Sequence, residues 1–181
     1  MENFSTAKFD EAKLLLENSK SILLTTHERT DGDDLGSVLA LAHLLKSKNK
    51  KVSIVISGGV PDSLQFLPLS EIVTEQISKE VESDFDLLVI SGCSTRERTN
   101  HSEILNLHIP TINLDHHPDN KMYGTVNVVD ATKSSVAELT YDLFKYCDWE
   151  ISYESAVCLL TGLVTDTGIF MHSNTAAATL A

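Results

Sequence analysis

The stretch Ile22-Leu23-Leu24-Thr25-Thr26-His27-Glu28-Arg29-Thr30-Asp31-Gly32-Asp33-Asp34-Leu35 changes character twice. An apolar run reads as a strand over residues 22–26. A turn rich in acids and carrying His27 follows. Helical spacing then begins at Asp33 or Asp34 and continues through Leu35, Val38, Leu39, Leu41, Ala42, Leu44 and Leu45. Lys46, Lys48, Asn49, Lys50 and Lys51 mark the end of that helix. The same alternation recurs along the chain. Strands are predicted over 52–56, closed by Gly58-Gly59, over 85–91, over 111–114 and over the shorter Val126–Val129. Helices are predicted over Ala7–Asn18, 96–105, 134–146 and 153–163. Strands alternating with helices predict a doubly wound, mostly parallel α/β sheet flanked by helices, with right-handed crossovers. Residues 78–84 read as a surface spacer. No internal repeat or low-complexity tract interrupts the pattern.

Two polar clusters sit just past strands. One is the turn from His27 to Asp33. The other is Asp115-His116-His117, directly after Ile109-Pro110-Thr111-Ile112-Asn113-Leu114. In an open parallel sheet the carboxyl ends of strands are where ligands bind. Clusters rich in His and Asp at two such ends point to a hard-metal site built across neighbouring strands. Gly32 permits a tight turn between Asp31 and Asp33. An isolated D-G-D is read equally well as a helix cap formed by Asp33. Neutral imidazole suits Mn, Fe or Zn, and carboxylate suits Mn and Mg. Asp115 can orient an imidazole by accepting its second N–H; the bland reading of the triplet is an exposed turn before Pro118. Thr165-Asp166-Thr167-Gly168 offers Asp166 as a further ligand, although an Asp followed closely by Gly is common in loops. His172 follows that motif and is assigned a peripheral role.

The 181 residues suffice for one domain with a real core, and 42% hydrophobic with 22% charged residues is an ordinary globular balance. No apolar stretch is long enough for a membrane span, and the first residues lack the pattern of a signal peptide. A cytoplasmic protein is expected. Three separated cysteines, Cys93, Cys147 and Cys158, fit free thiols. A net charge of −12 argues against binding to long nucleic acid but not against a small anionic substrate held through cations.

In this order the segments resemble the DHH phosphoesterase superfamily, most closely bacterial oligoribonucleases and phosphoadenosine-phosphate phosphatases of the NrnA type. The family segment H-x-x-P-D-G-D-A-x-G-S is similar to His27-Glu28-Arg29-Thr30-Asp31-Gly32-Asp33-Asp34-Leu35-Gly36-Ser37, with Thr30 in place of Pro. Asp115-His116-His117 supplies the family name. Asp130-Ala131-Thr132-Lys133-Ser134-Ser135-Val136-Ala137-Glu138 and Thr165-Asp166-Thr167-Gly168 complete a resemblance running from about Ser21 to Asn174. It implies a two-metal site, usually Mn²⁺. His27 and Asp31 would hold one ion, and Asp33, His116 and Asp166 the other. His117 would contact the scissile phosphate and Asp115 would support it. The substrate would be a short RNA or small nucleotide, such as a linear or cyclic dinucleotide or 3′-phosphoadenosine 5′-phosphate, with a homodimer left open.

The sequence departs from the family where the resemblance places a bridging Asp at the end of the third strand. Here Leu88-Val89-Ile90-Ser91-Gly92-Cys93-Ser94 puts Gly92, followed by Arg96 and Arg98. The expectation is a weakened site holding fewer than two ions, which Gly92→Asp would restore. The Ala-rich end of the chain further suggests a single catalytic domain, residues 1–181, truncated before a second, substrate-binding domain. Two functions compete: a metal-dependent phosphoesterase impaired at Gly92, and a degenerate domain acting as a non-catalytic binding or assembly module. A dinucleotide-binding redox enzyme is disfavoured because no G-x-G-x-x-G follows the first strand. Gly58-Gly59-Val60-Pro61 lacks the Lys of a phosphate-binding loop and reads as a turn.

Overall fold

The computed structural model describes residues 6–77 and 84–180. The predicted spacer at 78–84 therefore lies, apart from Asp84, outside the described residues. Among those described, six strands form one all-parallel sheet: β1 (Ser21–Thr25), β2 (Lys51–Val55), β3 (Val73–Thr74), β4 (Leu87–Ser91), β5 (Thr111–Asp115) and β6 (Val126–Val129), in the order β3-β2-β1-β4-β5-β6. The winding runs outward from β1 through β2 to β3, then resumes at β4 on the other flank of β1. That reversal opens a crevice at the carboxyl ends of β1 and β4, the place where such sheets bind ligands.

Burial explains why these segments become strands. β1, β4 and β5 are buried at every position, as expected for parallel strands covered on both faces. Alternate residues divide between two clusters. Ile22, Leu24, Val89, Ile112 and Leu114 face the larger one, with Phe9 and Leu16 of α1 (Ala7–Asn18), Leu35 and Leu39 of α2 (Gly32–Ser47), Leu143 and Phe144 of α4 (Val136–Tyr146) and Leu159 of α5 (Tyr153–Asp166). Leu23, Leu88, Ile90 and Cys93 face a smaller cluster capped by Ile104 of the one-turn helix α3 (Ser102–Leu105). Each fully buried Leu or Ile contributes about 1.5–3 kcal/mol, so the larger face dominates stability.

Helix α2 is buried almost all round because it lies between the sheet and α5. Gly36 permits this: a Cβ there would fall on the carbonyl oxygen of Cys158. The close approach of α2 to α5 brings the start of one helix toward the end of the other.

The structure bears out the sheet and its helices, with local corrections. The segment predicted as a helix over 96–105 is a 3-10 turn, Arg96–Thr99, then a break at Asn100 in the left-handed region, then α3. Arg96 Nη2 donates to the carbonyls of Ile104 and Leu107, at 2.6 and 2.9 Å, and holds that bend. β3 escaped the sequence reading because two residues carry no periodicity. α4 begins at Val136 rather than Ser134, since Ser135 is its cap and accepts the Glu138 amide. No helix of the described residues is long and apolar enough to cross a membrane.

Candidate metal centre

The first cluster grows from the turn between β1 and α2. Asp31 is the cap of α2: its Oδ1 accepts the amides of Asp33 at 3.0 Å and Asp34 at 3.1 Å. The helix thus begins at Gly32, and Asp33 does not cap it. Asp31 Oδ2 remains free to face His27, whose Nε2 lies 3.9 Å away. His27 Nδ1 sits 2.7 Å from the Glu28 carbonyl, and its Nε2 sits 2.7 Å from Asp34 Oδ2. With an acceptor at each nitrogen the imidazole holds a second proton readily. The bond to Asp34 is the largest cause, and it raises the His27 pKa against the opposing effect of burial. His27, Asp31 and Asp34 present ligand atoms within 4.8 Å of one another.

The second cluster draws on three further elements. Asp33 points from α2 to the start of α4, where its two oxygens accept the amides of Val136 at 2.7 Å and Ala137 at 2.8 Å. A carboxylate is suited to that position, because those amides have no partner within the helix and the helix dipole is positive there. Each oxygen keeps a lone pair. His116 Nδ1 lies 3.1 Å from the Lys133 carbonyl. That partner assigns the proton to Nδ1 and leaves Nε2 as the ligating atom, 3.9 Å from Asp166 Oδ2. Asp166 closes α5 and is held by Asn174 Nδ2 at 3.0 Å. Asp33, His116 and Asp166 also converge within 4.8 Å.

The carboxylates of the centre crowd one another. Burial pushes Asp33 well above the usual carboxylate range, and the charge of Asp34 adds to it. Burial raises Asp34 and Asp166 as well. Asp34 is 3% exposed, and its Oδ1 is buried with no hydrogen-bond partner among the described residues. Such a group costs about 1–3 kcal/mol unless something cationic reaches it.

His117 belongs to neither cluster but stands beside them. Its Nδ1 donates to Asp115 Oδ1 at 2.7 Å, and the same oxygen accepts the amides of His116 and His117 at 2.8 and 3.2 Å. Asp115 Oδ2 accepts Asn120 Nδ2 at 2.5 Å. Asp115 is fully buried; burial alone would raise its pKa, but His117 and Asn120 outweigh that and hold it below the ordinary value. Asp115 in turn raises His117. The expected orienting role of Asp115 is thus present as geometry, with His117 Nε2 directed away from the bond.

All seven residues singled out in the sequence, His27, Asp31, Asp33, Asp115, His116, His117 and Asp166, meet at the carboxyl edge of β1, β4 and β5. Asp34 was missed. Its only sequence signal is an acid where the family segment has Ala. Asn120 was missed as well, and nothing in one sequence marks it. The His172 ring lies 3.1 Å from the Asp166 carbonyl, at the rim. Cys93 is buried and its thiol is pushed up by burial, so it offers no nucleophile.

Residues 21–163 match the DHH family, N-terminal domain. The chain belongs to the DHH family. It is 31% identical over 166 residues to the bifunctional oligoribonuclease and PAP phosphatase NrnA of Thermus thermophilus, covering 91% of this chain and 48% of that protein. It is 30% identical over 164 residues to NrnA of Bacillus subtilis, covering 88% and 50%. A more distant relative is the cyclic-di-AMP phosphodiesterase PdeA of Listeria monocytogenes, at 26% over 171 residues, covering 86% and 26%. This DHH chain thus spans about half the length of the NrnA proteins it matches. Its fold is similar to that of an exopolyphosphatase-related protein from Bacteroides fragilis, with a TM-score of 0.88, 24% identity, and coverage of 98% of this chain and 55% of the other. It is also similar to the exonuclease RecJ in a manganese-bound structure, with a TM-score of 0.55, 19% identity, and coverage of 88% and 43%.

Proposed function

We propose that this DHH chain carries the catalytic residues of a metal-dependent phosphoesterase acting on short oligoribonucleotides, dinucleotides or nucleotide phosphates. The observation that carries the reading is the convergence of two clusters of imidazole and carboxylate, His27/Asp31/Asp34 and Asp33/His116/Asp166, at the switch point of the sheet. The donor set fits divalent cations with mixed N/O preference, Mn²⁺ foremost. An unpartnered buried carboxylate oxygen on Asp34, and carboxylates raised by burial and then by one another's charge, are what a site for cations leaves when the described protein groups alone are counted. The names of the NrnA relatives and of manganese-bound RecJ favour the same chemistry.

In this reading His27 and Asp31 hold one cation, and Asp33, His116 and Asp166 hold the other. A bound pair of cations supplies Lewis acidity and lowers the pKa of water at neutral pH. The protein supplies the rest. The Glu28 and Lys133 carbonyls fix the ring orientations of His27 and His116. Asp115 keeps His117 turned toward the site and favours its protonated form, so that Nε2–H can donate to a phosphoryl oxygen. Arg98 is exposed and near enough for its charge to act on His117, which makes it a second cationic contact for phosphate. The net charge of −12 leaves long nucleic acid a poor substrate.

The test is hydrolysis of pApA, of 3′-phosphoadenosine 5′-phosphate and of a short RNA by the purified chain, with Mn²⁺ and with EDTA. The expected result is Mn²⁺-dependent turnover that His116→Ala and His27→Ala each reduce by about 100-fold or more, the upper end of what positioned groups at such sites contribute. A folded chain that binds Mn²⁺ and hydrolyses none of these would instead support the non-catalytic module.

A further inference from the structure

Gly92 follows β4 directly with φ +63°, and its amide still donates to the Leu114 carbonyl at 2.9 Å, so the β4–β5 ladder runs undisturbed up to it. The space above it is filled. A Cβ built on Gly92 would fall on the carboxylate of Asp34, overlapping Oδ1, Cγ and Oδ2 together. A carboxylate therefore already occupies the place that a side chain at 92 would take. It arrives from the first turn of α2 instead of the end of β4.

We propose that Asp34 is the carboxylate shared by the two cations, replacing a strand-end ligand at position 92. The proposal rests on the two-metal phosphoesterase reading and deepens it. Asp34 Oδ2 lies 2.7 Å from His27 Nε2, within the first cluster. Oδ1, buried and without a partner among the described residues, is the atom that the second cation can use. Asp34 also adjoins Asp33 in the chain, and its charge acts on Asp33 and Asp166 of the second group and on His117 beside it. Glycine at 92 and aspartate at 34 then form one reciprocal pair: with Asp34 present, only glycine leaves room. The expectation of a vacant bridging position gives way to two cations per chain. Gly92→Asp alone is no longer a repair but a steric and electrostatic conflict with Asp34.

Isothermal titration with Mn²⁺, supported by Mn²⁺ electron paramagnetic resonance, reads this without any assay of turnover. The wild-type chain should bind two Mn²⁺ with spin coupling between them. Asp34→Ala should lose that coupling and about tenfold or more in affinity, the scale on which even outer-shell changes act at metal sites. Asp34→Asn retains the shape and serves if the alanine variant fails to fold. Gly92→Asp should lower the melting temperature of the metal-free protein and weaken Mn²⁺ binding. Asp34→Ala combined with Gly92→Asp should bind Mn²⁺ more tightly than Asp34→Ala, because aspartate tolerates the left-handed backbone better than most residues. Two coupled Mn²⁺ in a folded Asp34 variant with wild-type affinity would overturn the proposal while leaving the phosphoesterase reading standing. A double variant no better than Asp34→Ala would overturn the exchange of positions. A wild-type chain that binds no Mn²⁺ overturns both.

Discussion

Replacing Asp115 by Asn tests the arrangement around His117 with little change of shape. The carbonyl of the substituted side chain can still accept the amides of His116 and His117. Its NH₂ group, however, must face the Nδ2 donor of Asn120, 2.5 Å from the present Oδ2. Asn120 cannot turn over to accept, because its Oδ1 already accepts Asn113 Nδ2 at 2.8 Å and the Met122 amide at 2.7 Å. One buried donor is left unsatisfied, at about 1–3 kcal/mol. The charge of the bond to His117 is lost too and adds to this cost. The unsatisfied donor alone gives a loss of about 1–3 kcal/mol, or roughly 2–12 °C in melting temperature for a chain of this size. The sign depends on pH. His117 is raised from its ordinary value of 6.5, so its contribution is complete below 6.5 and disappears as pH rises through the folded value. Asp115 is lowered from 3.8, so its contribution is present above 3.8 and disappears as pH falls through the folded value. The gap between wild type and variant in urea unfolding should therefore be widest near about pH 5–6 and narrow on the alkaline side. Proton NMR of the His117 ring in the metal-free protein should show its pKa falling toward 6.5 in the variant. If His117 titrates identically in both proteins, Asp115 does not hold it, and its assigned role in contacting phosphate loses its support.

Asp33 and His116 separate structural from metal-binding effects. Asp33→Ala strands the Val136 and Ala137 amides and should cost the metal-free chain about 2–5 kcal/mol in urea unfolding, whereas His116→Ala should stay within about 1 kcal/mol, and both should lose one Mn²⁺. At Glu138, burial alone would raise the pKa, but bonds from the Ser134 hydroxyl and amide and from Lys133 lower it below 4.5. Glu138→Gln should cost about 1.5–3 kcal/mol at pH 7 by thermal or urea unfolding, and the difference should vanish as pH falls through the lowered folded value. Arg98→Ala should raise KM for a dinucleotide severalfold with kcat nearly unchanged, as expected for a cation that binds phosphate without taking part in the chemistry; a fall in kcat alone would exclude that role.

The fold was legible because its dominant signals are local. The runs at Leu23-Leu24 and Leu87-Leu88-Val89-Ile90 are apolar on both faces, which a strand buried between layers requires, and the intervening segments carry helical spacing or charged ends. What escaped, β3 and the bend over Arg96–Thr99, depends on tertiary partners. Two residues of β3 become a strand only because β2 offers a free edge. Residues 96–105 have helical composition, but Arg96 finds better acceptors in the Ile104 and Leu107 carbonyls than a continuous helix would leave it. The candidate residues were legible to the same depth. Residue types and their place after strands singled out His27, Asp31, Asp33, His116 and His117, and a motif after a helix added Asp166, but the division of labour among the acids was not visible. Asp31 caps α2, Asp33 accepts the first two amides of α4 from a distance in the chain, and neither role is visible from spacing alone.

Gly92 and Asp34 show where sequence reasoning stops and why. They lie far apart in the chain, so a strand that ends in glycine reads as a lost ligand, and an aspartate beside Asp33 reads as one more acid in a helix start. Only the parallel pairing of β1 with β4 brings the two loops together. The first turn of α2 then aims Asp34 across the end of β4, into the volume a side chain at 92 would fill. Neither residue can be interpreted without the other. An aspartate at 34 facing any side chain at 92 would put two groups in one buried place. A small residue at 34 facing glycine would leave His27 without its nearest carboxylate and the centre one anion short. The centre therefore constrains the sum of the two positions rather than either one: one carboxylate, carried by one of two neighbouring loops. That is why the effects of Asp34→Ala and Gly92→Asp should fail to add, the behaviour expected of residues that share a single contact.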